Sequence, residues 1–269
     1  MDSSRDDGRQ PAFNILLITG DQWRGDCLSA VGHPCVRTPA LDALAADGVL
    51  FRNHYAQALP CGPSRASMLT GLYLHNHRAV RNGTPFDSRH ATLPEEFRRA
   101  GFRPLLFGYT STSVDPRDYD PGDPALTTYQ GAMPGFDWVL PFEGDREPWL
   151  ADLRRKGYAV PERPADIYAP VATAPGSNGR GANFAPPVYR AEDSDTAFMT
   201  DAVLGHLDHG IARPWFFHVS YNRPHPPYIA PAPYNAMVDP GDVPAFRRAA
   251  TPGDEAAMHP VVGYFLEHN

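Results

Sequence analysis

Apolar residues along the chain gather in a few dense runs, separated by glycine, proline and aspartate. Phe13-Asn-Ile-Leu-Leu-Ile-Thr19 is almost continuously apolar and stops at Gly20-Asp21. A strand covered on both faces of a parallel sheet has this pattern, whereas a half-solvated strand alternates. Residues 38–47 predict a helix, with Thr38 as N-cap, Pro39 at the first helical position and Gly48 closing it. Residues 49–55 form a short strand candidate. Another helix is expected to begin at Cys61, where Pro63 pre-sets the first turn. Thr92-Leu-Pro-Glu95 is a capping box that opens a helix ending near Ala100, before Gly101. Residues 103–108 return as a strand, 194–207 as a helix and 215–221 as a second buried strand. The Pro/Gly-rich stretch 116–190 shows little periodicity and predicts long surface loops that lid or line a pocket.

Strands alternating with helices predict an α/β fold, with a largely parallel central sheet flanked by helices. Residues 1–11 predict a disordered tail. The 269 residues are 42% hydrophobic and 20% charged, a globular composition, although 30 prolines is about twice the usual share. The net charge of −7, with no Lys/Arg-rich run, argues against nucleic acid as a partner. No apolar run is long enough to span a membrane. The polar N-terminus offers no secretion signal, and Cys27, Cys35 and Cys61 make neither a disulfide framework nor a CxxC metal site. A cytoplasmic enzyme is the expectation, with its oligomeric state left open.

Ligands of open α/β sheets bind beyond the C-terminal strand ends. There the chain places Asp21-Gln22, then Cys61-Gly-Pro-Ser-Arg65 after the 49–55 strand candidate and at a helix start, then Tyr109-Thr-Ser-Thr112 and Asn222-Arg-Pro-His225, four strand ends at one rim. Free N–H groups and the helix dipole favour an anion beside Cys61, and Arg65, one turn on, is expected to reach back toward it. A sulfate or phosphate group suits such a place. The residues alone leave open a low-pKa cysteine nucleophile and an anion clamp.

Cys61-Gly-Pro-Ser-Arg-Ala-Ser-Met-Leu-Thr-Gly71 resembles the signature of the sulfatase family at every specified position. The resemblance extends to Asp21, to Leu72-Tyr-Leu-His-Asn-His77 and to the Arg-Pro-His225-Pro-Pro turn. It implies an alkaline-phosphatase-like fold and hydrolysis of small-molecule sulfate, phosphonate or phosphate esters. It implies a partner, the formylglycine-generating enzyme, which converts Cys61 to Cα-formylglycine. The hydrated aldehyde then attacks beside one divalent cation, Ca²⁺ or Mn²⁺, held by Asp21, Gln22 and the modified Cys61. Arg65 would stabilise the ionised hydrate and the developing charge, and His225 would protonate the leaving oxygen or contact the transferred group.

Two departures separate this chain from typical sulfatases. Asp21-Gln-Trp-Arg24 replaces tandem aspartates and is similar to the phosphonate monoester hydrolase branch. Where sulfatases have Gly-Lys-x-His, this chain has Gly108-Tyr-Thr-Ser111, so Tyr109 and Ser111 take the places of two substrate-contacting cations. Asn82 matches that branch's substrate-contacting asparagine. Together these favour a phosphonate or phosphodiester hydrolase over a strict sulfatase.

Other motifs have plainer readings. His75 and His77 are expected to be structural or surface residues, and Cys27 and Cys35 ordinary buried thiols. Asp208-His209-Gly210 imitates the family's late metal motif but falls at a helix end. Asn82-Gly-Thr84 matches a glycosylation acceptor, which has no meaning without a secretion signal. The late Asp-His ligand pair is not found between Tyr228 and Asn269. The expectation is therefore that residues 12–269 are the N-terminal portion of a sulfatase catalytic domain, truncated at the C-terminus. The alternatives are a non-catalytic relic and a hydrolase using the unmodified cysteine.

Overall fold

The computed structural model describes residues 13–142, 144, 146–174, 176–177, 179–245 and 248–268. The expected tail at 1–11 lies outside them. The chain divides into two compact units: one up to Gly25 together with Leu50–Met237, the other Asp26–Val49 together with the residues from Val238 onward.

The larger unit is built on four parallel strands, β1 (Ile15–Gly20), β2 (Arg103–Gly108), β3 (Asp137–Pro141) and β4 (Trp215–Tyr221), in the order β1-β4-β2-β3. Both faces of its centre are covered, as parallel sheets require. On one face Leu105, Phe107, Phe217 and Val219 pack against α5 (Glu147–Arg155) and α6 (Asp195–Asp208), through Trp149, Leu150, Leu153, Met199 and Val203. The opposite side holds α2 (Cys61–Thr70), whose Ala66 and Leu69 pack with Ala79, Phe86 and Met133. It also holds α3 (Leu74–His77) and α4 (Leu93–Arg99), with Phe97 of α4 lying 4.5 Å from the Phe216 ring. The Thr92 capping box forms as expected: Thr92 accepts from the Glu95 amide and the Glu95 carboxylate accepts from that of Thr92. The smaller unit carries α1 (Pro39–Asp47), α7 (Pro252–Met258) and α8 (Pro260–His268).

Several expectations are corrected. Residues 49–55 form no strand; Val49, Phe51 and Tyr55 are exposed, and β-branched and aromatic content counts for little without a neighbouring strand. β1 is a strand, but as an edge strand it leaves Leu16 and Ile18 47% and 56% exposed rather than buried. The 116–190 stretch is not all loop. It contains β3 and α5, and α5 buries Trp149, Leu150 and Leu153 completely. Pro148 disguises that helix, yet a proline in the first turn is compatible with one. Thr38 precedes α1 without capping it, because its hydroxyl accepts from the Ser29 amide instead. Cys27 and Cys35 form no disulfide and are half-buried rather than buried.

Among the described residues, no helix is long and apolar enough to cross a membrane.

Candidate active site

The C-terminal ends of β1, β2 and β4 converge on one phenol. Tyr109, just beyond β2, has its hydroxyl 2.9 Å from Asp21 Oδ2 and 2.8 Å from Asn222 Oδ1, so its one proton serves one acceptor at a time. Asp21 and Asn222 directly follow β1 and β4, and the Asp21 amide bonds the Tyr221 carbonyl, extending the β1–β4 ladder. Burial, reinforced by the Asp21 carboxylate and opposed by the Arg65 cation, pushes the Tyr109 phenol far above its ordinary range. It stays a neutral donor.

Gly108 makes that convergence possible. It sits at φ +103°, and a Cβ there would lie 2.3 Å from the Ser220 carbonyl oxygen.

Cys61 is the first residue of α2, where backbone amides have no partners within the helix. Asn82 brackets that end. Its Oδ1 accepts from the Gly62 amide at 2.8 Å, and its Nδ2 lies 3.2 Å from Cys61 Sγ. A Cβ on Gly62 would come within 2.9 Å of Asn82 Oδ1, so the bracket needs a glycine.

Arg65 does not reach back to Cys61 as expected. Its Nη1 donates to the Tyr109 carbonyl (2.5 Å) and to Ser220 Oγ (2.6 Å), and its Nη2 lies 3.5 Å from Asp21 Oδ2. The guanidinium also lies 4.8 Å from the centre of the Tyr109 ring. Strand-end partners hold it more firmly than a half-buried thiol would. Arg65 and Asp21 are both buried, so this is a compensated ion pair of low dielectric rather than a surface bridge.

These groups surround a cavity of about 570 Å³, lined by Asp21, Gln22, Cys61, Arg65, Asn82 and His225, with Trp23, Leu59 and Met68 as apolar walls. His225 Nδ1 lies 2.9 Å from the Pro226 carbonyl. A carbonyl only accepts, so Nδ1 carries a proton and Nε2 is the nitrogen free to exchange one. Gln22 adopts φ 62° and donates to the Tyr228 hydroxyl at 3.1 Å.

Thus Asp21, Gln22, Cys61, Arg65, Asn82 and His225 meet at one cavity, and Tyr109 supports it from behind. Ser111 does not line it. It is buried at φ 53°, beside a water-sized void against Gly62 and Ala66, and its hydroxyl has no partner among the described residues. His77 is structural. Its Nδ1 accepts from the Ala79 amide, so Nε2–H donates to Ser67 at 2.8 Å and ties α3 to α2. His209 is the C-cap of α6 and follows that helix rather than a strand.

Sequence reasoning missed Ser220, Tyr228 and the role of Asn222. A signal existed for Ser220: β4 carries His218 and Ser220 two residues apart within an apolar run, which puts two polar groups on one buried face.

The donors present do not by themselves fit a divalent cation. Such an ion takes six to eight oxygens, but Asp21 has its Oδ2 engaged by Tyr109 and Arg65 and Gln22 has its Nε2 turned to Tyr228, which leaves Asp21 Oδ1 and Gln22 Oε1 as the side-chain oxygens on offer from this pair. Among the described residues, no group of three or more His, Cys, Asp or Glu could hold a metal. A formylglycine at 61 does fit. The Asn82 Nδ2 beside Sγ would donate equally to an oxygen there.

A parallel sheet whose strand ends meet a helix-borne Cys-x-Pro-Ser-Arg segment is the architecture of a sulfatase-type protein. The sulfatase family model matches residues 13–245, and the chain belongs to that family. Over 262 residues, 95% of this chain and 50% of the relative, it is 42% identical to the multifunctional alkaline phosphatase superfamily protein PehA of Trinickia caryophylli. The phosphonate monoester hydrolase of Agrobacterium radiobacter superposes with a TM-score of 0.87 at 48% identity, covering 93% of this chain and 49% of that one. That of Silicibacter pomeroyi gives 0.85 at 47% identity, with the same coverage. The chain spans about half the length of these relatives.

Proposed function

We propose that this chain carries the nucleophile-bearing part of a hydrolase of sulfate or phosphonate esters, with phosphonate and phosphodiester substrates preferred. One observation carries the reading: a single cavity is lined by Cys61 at a helix N-terminus, its Asn82 bracket, the buried Arg65 cation and a histidine with one free ring nitrogen. Tyr109, standing where typical sulfatases carry a cation, distinguishes this site from theirs. The relatives named phosphonate monoester hydrolase point the same way.

In this reading Cys61, oxidised to formylglycine, supplies an oxygen nucleophile. Asn82 orients that side chain. Arg65 places a fixed positive charge beside it and offsets the charge that builds on the transferred group, and the α2 amides add to the same field. Asp21 holds Arg65 in place, and Tyr109 holds Asp21. His225, in the imidazolium form that carries a proton on both ring nitrogens, gives the Nε2 proton to the departing oxygen and is left as the neutral Nδ1–H ring. No step is assigned to a metal ion.

The test is turnover of an aryl phosphonate monoester and an aryl sulfate by the chain produced with a formylglycine-generating enzyme, alongside Cys61→Ala. Turnover lost in the variant supports the reading. Equal turnover by both refutes it.

A further inference from the structure

The turn that brings His225 to the cavity cannot hold itself. Asn222-Arg-Pro-His-Pro-Pro-Tyr-Ile229 contains three prolines, which lack the N–H that would tie down its carbonyls. Its own backbone bonds run from the His225 amide to the Asn222 carbonyl and from the Ile229 amide to the Pro227 carbonyl, both 2.9 Å. The missing donors come from the side chain of Arg223. Its Nη1 donates to the carbonyls of His225 (3.0 Å) and Pro227 (2.8 Å). Its Nε donates to Asp195 Oδ2 at 3.1 Å, and the guanidinium lies 4.3 Å from the centre of the Tyr168 ring.

The anchor is rigid. Asp195 is the first residue of α6 and is buried; it accepts from the Tyr168 hydroxyl at 2.9 Å and from the Thr196 amide at 2.8 Å. Burial opposes the charge on Arg223, but Asp195, with Tyr168 and Tyr189 adding to it, offsets the burial and keeps the guanidinium firmly protonated.

We propose that Arg223 is a positioning residue, which clasps the proline-rich turn to α6 and so fixes the ring of His225 in the cavity. The same turn carries Asn222 to Tyr109 and Tyr228 to Gln22, so one guanidinium holds three groups of the site in register. A lysine cannot replace it. One ammonium does not reproduce a planar fork that serves two carbonyls and a carboxylate at once. The role of the turn in chemistry rests on the hydrolase reading above, whereas the clasp itself does not.

The test is ¹⁵N NMR of the 269-residue chain labelled at histidine, at a pH where the rings are neutral, with His225 assigned through His225→Gln. In the wild type, His225 shows the single Nδ1–H tautomer. In Arg223→Lys its two ring nitrogens move toward a common averaged shift, while the signals of buried His77 stay in place. Arg223→Met combined with Asp195→Asn removes both buried charges together, leaves no uncompensated ion, and gives the same averaging. Unchanged His225 shifts in either folded variant overturn the proposal. So does loss of the His77 signals in both, because Arg223 would then hold the fold rather than the turn. In a parallel turnover assay, kcat falls roughly tenfold or more while KM moves little. A wild type that turns over no ester refutes the hydrolase reading and leaves the tautomer result to decide the clasp.

Discussion

Lowering the pH should destabilise this protein through one histidine. His218 lies in the middle of β4, fully buried, with Nε2 3.1 Å from the Thr19 hydroxyl, Nδ1 unpartnered among the described residues, and the Phe136 ring 5.6 Å away. Burial first, and the nearby Arg65 cation second, push its pKa from 6.5 down to about 3. The folded protein therefore keeps the ring neutral over a range where the unfolded chain protonates it. This contribution to stability is complete above the unfolded pKa and is lost as pH falls from there toward the folded one. At about pH 5 the unfolded ring is already 1.5 units below its pKa, which corresponds to roughly 2 kcal/mol at 1.36 kcal/mol per unit. Urea denaturation near pH 7 and near pH 5, in wild type and His218→Gln, measures it. His77 and His206, also lowered chiefly by burial, titrate in both proteins and cancel in the difference. Wild type should lose about 2 kcal/mol more than the variant between the two conditions. Equal losses would refute the reasoning.

Three further outcomes follow from the site. Arg65→Ala should cost about 3 kcal/mol of transition-state stabilisation, read as kcat/KM for the aryl phosphonate, the scale of removing one oxyanion donor. Arg65→Lys should restore only part of it, since a point charge cannot serve Tyr109, Ser220 and Asp21 together. Tyr109→Phe should lower the urea-derived stability by about 2 kcal/mol, because the buried Asp21 carboxylate loses a donor while the ring stack on Arg65 stays. Calorimetric titration of the chain with Ca²⁺ or Mn²⁺ should give a dissociation constant no tighter than about millimolar, as expected of a site with one carboxylate. A micromolar, stoichiometric isotherm would mean that other residues complete the shell.

The elements that position the chemistry were legible because their signals are local. The apolar runs at β1, β2 and β4 stand out, and the Thr92–Glu95 box marks α4. Cys61 and Arg65 fall one helical turn apart, which places them at one cavity, and the signature around them fixes the family. What was not legible depends on partners distant in sequence. Residues 49–55 have strand composition and no strand beside them. β3 is short and half-exposed and pairs with β2 across an intervening stretch of proline-rich chain. The direction of the Arg65 guanidinium is set by Ser220 and the Tyr109 carbonyl, which lie 155 and 44 residues away along the chain. Spacing on α2 could place the arginine but not its partners.

The central claim, that Cys61 carries the nucleophile, is tested most directly by the mass of the tryptic peptide spanning 53–65, from chain produced with a formylglycine-generating enzyme. The account predicts a peptide lighter by the difference between a thiol-bearing carbon and an aldehyde. That form should be absent from Cys61→Ser. A peptide that keeps the full mass of the unmodified cysteine would contradict it.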